Sequence, residues 1–492
     1  MLASFLKYLK QILWVVRFRS IDTSTAEGRA KERYRRVVLT TLASLGAKGI
    51  TIVTSIITVP LTLQYLGPER YGLWVTISSV IALLAFADLG MGNGLLNAIS
   101  AAHGRDDRVA AVKAISNAVL PLTCFACAMF TAFAALYNWI PWEKFFNLTS
   151  PVMAGEVGPT MIVLVGCFAA SLPLGMVEKV QRGYQEGFEG SLWLGIGNLL
   201  ALGAVLLVIS LRGGLPWLAL AIAGTPPLAA LLNGLILFGV RYPWLRPSRE
   251  TIDLLAMRDL LQTGLVYLVL QAAAVFAFAS DNFVIARVLG TAAVTEYSIS
   301  VALFSIVPLT LNTMLMPLWP AYGEAVARGD TVWVKNTFKR SLILTLIYSL
   351  LACGLLIVVG TRLIHLWVGA SVTPSLSLLI ALGAWTIIFA LHGALTTFLN
   401  GIAALRLQLI STLVLVPFAI IGKAFLGTLI GLQGIALGMI LSYILCSAIP
   451  YGLFVPKILA GINRSVATPL IGADQSPVLE PHGAALTKKG NI

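Results

Sequence analysis

"VPLTLQYLGPERYGLWVTISSVIALLAFADLGMGNGLLNAIS", residues 59–100, reads as two hydrophobic helices joined by a tight turn at Gly67-Pro68. Its charges are Glu69 and Arg70, beside that turn, and one acid, Asp88, inside the second apolar run. Apolar runs of this kind recur along the whole chain, each about 20 residues, the length at which a helix crosses a hydrocarbon core of about 30 Å. A spanning β-barrel would instead alternate polar and apolar residues with period two. Composition agrees, at 58% hydrophobic and 11% charged, with a mean hydropathy of +0.89. A soluble domain carries about 25% charged residues, so most of this surface must face lipid. The N-terminus lacks the basic, apolar, small-residue order of a signal peptide.

Twelve spans are predicted, at about 37–65, 71–97, 113–137, 159–180, 191–211, 216–239, 260–288, 296–320, 339–361, 375–399, 405–427 and 432–459. The polar break "RYPWLRPSRETIDLLAMRD", residues 241–259, divides them six and six. The expected organisation is an N-terminal segment (1–36), a six-helix bundle (37–240), a linker (241–259), a second six-helix bundle (260–460) and a disordered tail (461–492). With both termini inside, inner segments hold 27 of the 34 Lys and Arg residues. Outer segments hold Arg70, Lys144, Arg212, Arg287, Arg362 and Lys423, and Lys48 lies within a span. This asymmetry fixes the orientation and makes the net charge of +13 a topology signal rather than a sign of nucleic-acid binding. In "FLKYLKQILWVVRFR", residues 5–19, an apolar stripe beside Lys7, Lys10 and Arg17 fits an interfacial helix, with a partly ordered tail as the alternative.

The halves repeat. Aligning Leu66-Gly67 with Leu289-Gly290 matches "YLGPERYGLWVTISS" with "VLGTAAVTEYSISVA", and "AAHGRDDRVAAVKAIS" falls opposite "AVARGDTVWVKNTFKR". Six spans per repeat is an even number, so both halves share one orientation, as in transporters that rock two bundles about a central substrate.

Residues 59–100 and "SDNFVIARVLG", residues 280–290, resemble spans one, two and seven of bacterial polysaccharide flippases of the Wzx type. These belong to the multidrug/oligosaccharidyl-lipid/polysaccharide exporter superfamily. The likeness covers about residues 37–460. It implies a V-shaped pair of six-helix bundles, an inner-membrane location and translocation of undecaprenyl-diphosphate-linked oligosaccharide. Protons or sodium are the coupling ions to consider, membrane lipids and a polysaccharide polymerase the partners, and no cofactor is expected.

Intramembrane charges are costly and tend to face a cavity or a partner. Lys48 lies about eleven residues into span one, roughly 16 Å deep and near the midplane. It is a candidate cation for diphosphate, or one arm of a structural ion pair. Asp281, with Asn282, lies at similar depth in span seven. It is expected to pair with Lys48 when no substrate is bound or to bind a coupling cation, the alternative being a neutral Asp at a helix contact. The repeat aligns Lys48 with Gln271 and Asp281 with Thr58. Arg287, nearer the outer face, reads as a substrate ligand or an interfacial anchor. Gly90, Gly92 and Gly94 make a packing and hinge element at the inner mouth, where Asp88 should bond a helix end or a basic inner-loop residue. Cys124 and Cys127 form a CxxC without a second pair, which favours packing over metal. His392 reads as a hydrogen-bonded core residue or a proton relay. Trp139, Trp142, Tyr71 and Trp74 fit an aromatic belt.

Two rivals are distinct. A cation-coupled drug antiporter of the same superfamily predicts a less basic cavity. A membrane-embedded glycosyltransferase or polymerase needs a catalytic acid or base on a large outer loop. The longest such loop, residues 138–158, has only Glu143 and Glu156 as acids and no His. The chain carries no phosphate-binding P-loop either.

Overall fold

The computed structural model describes residues 25–82, 88, 90–142, 151–368 and 373–461. The stretch expected to form an interfacial helix, Glu143 and Lys144 of the long outer loop, and nearly all of the expected tail lie outside them. Among the described residues, ten helices are long and apolar enough to cross a membrane. The two further expected spans, two and seven, are helices interrupted within the span. The protein is an all-α membrane protein of about twelve spans in two six-helix halves.

In the first half, α1 (Ala26–Ala82) bends at Gly67, which stands at φ 75° and ψ 167°. Its arms are span one and the start of span two, and α2 (Met91–Gly104) completes span two. Span one's helix thus begins well before residue 37. Spans three to six are α3 (Arg108–Leu136), α4 (Pro151–Leu174) with α5 (Met176–Gly183), α6 (Gly187–Ser210), and α7 (Leu215–Ala223) with α8 (Thr225–Ile236). In the second half, α9 (Leu254–Ala279) and α10 (Asp281–Val288) form span seven. Span eight runs through α11 (Thr291–Phe304), α12 (Ile306–Leu315) and α13 (Leu318–Ala327). The remaining spans are α14 (Thr331–Val368), α15 (Leu376–Gly401), α16 (Leu405–Ile430), and α17 (Leu432–Tyr443) with α18 (Ile449–Gly461).

Gly290 turns span seven into span eight at φ 90° and ψ 167°, nearly the angles of Gly67. That region of backbone space belongs almost wholly to glycine. The two residues that the repeat alignment pairs therefore make the same corner in the two halves. Outside the core, large apolar side chains stand uncovered, Val358 at 80% and Leu351 at 71% exposure, as a lipid-facing helix requires.

The halves meet mostly at one end, where Arg33, Asp106 and Arg328 lie, called here the basic end. There α2 packs on α9 and α13, α3 on α9, and α1 on α12 and α13. Asn97 bridges the halves: its Nδ2 donates to the Tyr267 hydroxyl and its Oδ1 accepts from Trp319 Nε1, both at 2.6 Å. At the opposite end α7, α10 and α11 pack chiefly within their own halves.

The linker is not loose. Asn117, fully buried in α3, donates to Thr251 O (3.0 Å) and accepts from Asp253 N (2.9 Å). Ser116 Oγ accepts from Ser248 N (3.0 Å), and Lys113 pairs with Asp253 at 2.5 Å. Tyr242, Trp244 and Leu245 complete a hydrophobic cluster with α2 and α3.

Candidate functional site

Between the halves lies a cavity of about 840 Å³, counting space continuous with its mouth. The first half supplies walls from α1, α2, α5 and α6, and the second from α12 and the start of α13. Three cations line it, Arg36, Lys48 and Arg182, against one carboxylate, Glu178. Arg182 donates to Glu178 at 2.5 Å and to Met316 Sδ across the cavity at 3.1 Å. Arg36 donates to Glu32 (2.9 Å) and to Tyr184 O (2.7 Å). Lys48 differs. Its Nζ reaches across to the hydroxyl of Thr313 in the second half, and among the described residues no carboxylate pairs with it. A neutral hydroxyl satisfies one of its three N–H donors and leaves its charge uncompensated.

The basic end is closed by charges that cross between the halves. Arg33, 2% exposed, pairs with Glu324, 4% exposed, and donates to Asp330 Oδ2 at 2.6 Å. Arg328 pairs with Glu324 on its own helix end, clasps Asp106 across the boundary at 2.8 and 2.9 Å, and reaches His103 O at 3.1 Å. Its guanidinium holds the Asp106 carboxyl below the ordinary value. Gln185 donates to Glu324 at 3.3 Å, and Tyr34 and Thr337 share a hydrogen bond of 2.7 Å. No local motif marks this network, because, Glu324–Arg328 apart, its pairs join residues distant in sequence.

Asp281 is not joined to Lys48. It forms an ion pair with Lys423 of α16 and accepts from the Tyr297 hydroxyl at 2.8 Å. Lys423, counted in the sequence with the outer segments, is fully buried inside the second half. The expected Lys48–Asp281 pair and the outer placement of Lys423 are both corrected by this contact. A lone acid in a span needs a partner, and the lysine within the apolar run "AIIGKAFLG", residues 419–427, was the signal for it. Asn282 accepts from Ser298 Oγ at 3.0 Å. Arg287 is exposed and does not line the cavity, which counts against it as a ligand there.

Asp88 closes a local turn. Its Oδ1 accepts from Gly90 N at 2.9 Å, and its backbone carbonyl from Met91 N at 3.0 Å. Gly90, at φ 70°, presses on span seven so closely that a Cβ there would come within 2.1 Å of Gly264 O. Gly92 faces Asp88 and Lys179, where a Cβ would stand 3.1 and 3.0 Å from their nearest atoms; Gly94 faces Leu260 O at 3.5 Å. His392 is hydrogen-bonded to Tyr443 at 3.1 Å, and Cys124 and Cys127 are exposed free thiols. At the opposite end Glu156, expected in the longest outer loop, lies in the first turns of α4, held by Arg70 at 2.5 and 2.9 Å and by Leu215 N at 3.2 Å.

The fold has close counterparts. A MATE transporter in a straight conformation superposes with a TM-score of 0.71 at 14% identity, covering 88% of this chain and 97% of its own. A multidrug-resistance MATE transporter of the MOP superfamily, in an outward-facing conformation, gives 0.70 at 15% identity, with 87% and 96% covered. A MOP-superfamily transporter from Pyrococcus furiosus, described by the reversed polarity of its binding pocket, gives 0.66 at 15%, again with 87% and 96% covered. No curated protein matches the chain in sequence. A family model for polysaccharide biosynthesis proteins matches residues 37–326, more than half of the chain. The chain therefore belongs to the polysaccharide biosynthesis protein family, and its fold is that of the MOP-superfamily transporters.

Proposed function

We propose that this protein flips an undecaprenyl-diphosphate-linked oligosaccharide from the inner to the outer leaflet of the bacterial inner membrane, by alternating access of the cavity between its halves. The observation that carries the reading is Lys48, an ammonium on the cavity wall with no carboxylate paired to it among the described residues. A diphosphate crossing the membrane needs a cation near midplane, because an unpaired ion in a low-dielectric medium is very costly. Arg36 and Arg182 extend positive charge along the same cavity toward the basic end. On the charge bias the basic end faces the cytoplasm, and both termini and the linker lie there. Joined at that end, with α7, α10 and α11 at the other packed chiefly within their own halves, the two halves fit a form whose cavity opens toward the outer leaflet.

The test is a reconstituted flipping assay with fluorescent lipid-diphosphate oligosaccharide. Lys48→Ala removes one charge-assisted contact, worth about 1.5–3 kcal/mol, and should weaken substrate binding about 10- to 150-fold; Lys48→Arg should keep part of it. Parent-like binding and flipping by Lys48→Ala would overturn the reading.

The second reading, a drug/cation antiporter, is favoured by the likeness to MATE folds. Three cations against one carboxylate make this cavity a poor receptor for a cationic drug. Transport of cationic aromatic compounds, with none of lipid-linked sugar, would decide for it.

A further inference from the structure

The surroundings of Lys423 form a built cation site. Its ammonium has three N–H donors and meets three oxygens of span seven: Asp281 Oδ1, Ala277 O at 2.5 Å and Ser280 Oγ at 3.3 Å. Span seven breaks between α9 and α10 at Ser280, beside that carbonyl. Lys423 is fully buried, Tyr297 is 3% exposed, and the Asp281 side chain retains 19%. Tyr297 fixes the second carboxylate oxygen. On the other side, α16 is seated against α17 with backbone nearly touching, since a Cβ at Gly438 would fall 2.4 Å from Gly422 O. The ammonium is thus held by rigid elements.

A carboxylate, a backbone carbonyl freed at a helix break and a hydroxyl are the hard oxygen donors that bind alkali cations within membrane transporters. Here one fixed positive charge balances one carboxylate, and the side chain fills the place where a cation of the same charge would sit. The geometry points to a monovalent-cation site in the second half that the chain occupies with its own Lys423, so that the protein has no sodium requirement and becomes sodium-binding when the ammonium is removed. If the transport reading holds, flipping is also sodium-independent. The site itself does not depend on that reading.

The test uses the full chain in nanodiscs at pH 8, comparing NaCl with choline chloride at equal ionic strength. The parent's Tm should be the same in both. Lys423→Met, which keeps the length of the side chain without its charge, leaves Asp281 unpaired. Its Tm should rise with sodium in a saturable way, by about 3 °C at a hundredfold excess over Kd. Adding Asp281→Asn to Lys423→Met should abolish that response. A sodium-dependent Tm in the parent would overturn the proposal. So would a Lys423→Met protein indifferent to sodium, or one lost alike in both salts, since sodium would then not replace the ammonium. A parent that ignores sodium yet flips no lipid-linked sugar would sink the transport reading and leave this one standing.

Discussion

Glu324→Gln should loosen the basic end without unfolding either half. Glu324 is 4% exposed and accepts from Arg33 across the boundary, from Arg328 and from Gln185. Breaking a buried pair outright costs about 3–5 kcal/mol, because a charge is left unpaired. Here neither arginine is orphaned: Arg33 keeps Asp330 and the face of Trp333, and Arg328 keeps Asp106. The loss is the difference between a charged and a neutral hydrogen bond, about 1 kcal/mol each, so about 1–2 kcal/mol in all. The Arg33 bond and the Gln185 bond join the two halves, so the loss falls on the closed form, and the ratio of closed to open should drop about 5- to 30-fold. Spin labels at Val109 and Val332, which stand 73% and 70% exposed in opposite halves, would report this as a second, longer distance. The measurement requires a background without the free cysteines. A variant with the parent's distance distribution and only a lower Tm would show that the network is structural glue, and the reasoning would fail.

Gly90→Ala should be severe, above about 3 kcal/mol, since it adds a left-handed penalty of about 1–2 kcal/mol to a backbone collision with Gly264. Gly94→Ala, in ordinary contact at 3.5 Å, should be neutral or slightly stabilising because alanine suits a helix better; thermal unfolding of both variants checks the contrast, and equal stability would refute it. Asn117→Leu should free the linker by leaving the Thr251 carbonyl and the Asp253 N–H unpaired, at about 1–3 kcal/mol each where water cannot enter. Hydrogen exchange over residues 248–254 should quicken by at least tenfold, and unchanged protection would show that the linker is held elsewhere.

The span pattern was legible because each bilayer crossing imposes its own length and polarity, and ten of the twelve expected spans match a helix or run of helices long and apolar enough to cross a membrane. The corner at Gly67 and Gly290 was legible too, because only glycine takes that backbone and the repeat alignment pairs the two. Lys48, singled out by counting rise along one helix, lines the cavity. Two features were not legible. Lys423 lies close enough to the end of span eleven that counting alone placed it outside, and its burial comes from α17 and span seven packing around it. The Arg33–Glu324–Arg328–Asp106 network joins residues from three separate stretches, and ordinary basic-loop composition hides it. The helix of span one also begins earlier than the apolar run, since Ala26 to Arg36 are mostly polar yet helical, and this places Arg33 where it can reach the second half.

The Lys423–Asp281 contact also constrains how the protein is made. Each charge costs about 2.5–3.5 kcal/mol to place alone at a helix centre during insertion. Span seven leaves the ribosome long before span eleven, so Asp281 must enter the bilayer before its counter-charge exists. Span eleven in turn carries a lysine that no neighbour in its own sequence neutralises. Neither helix is at rest until the other is inserted and docked. A chain truncated before span eleven would therefore keep the Tyr297 hydrogen bond to Asp281 but hold that acid in the bilayer without its counter-charge.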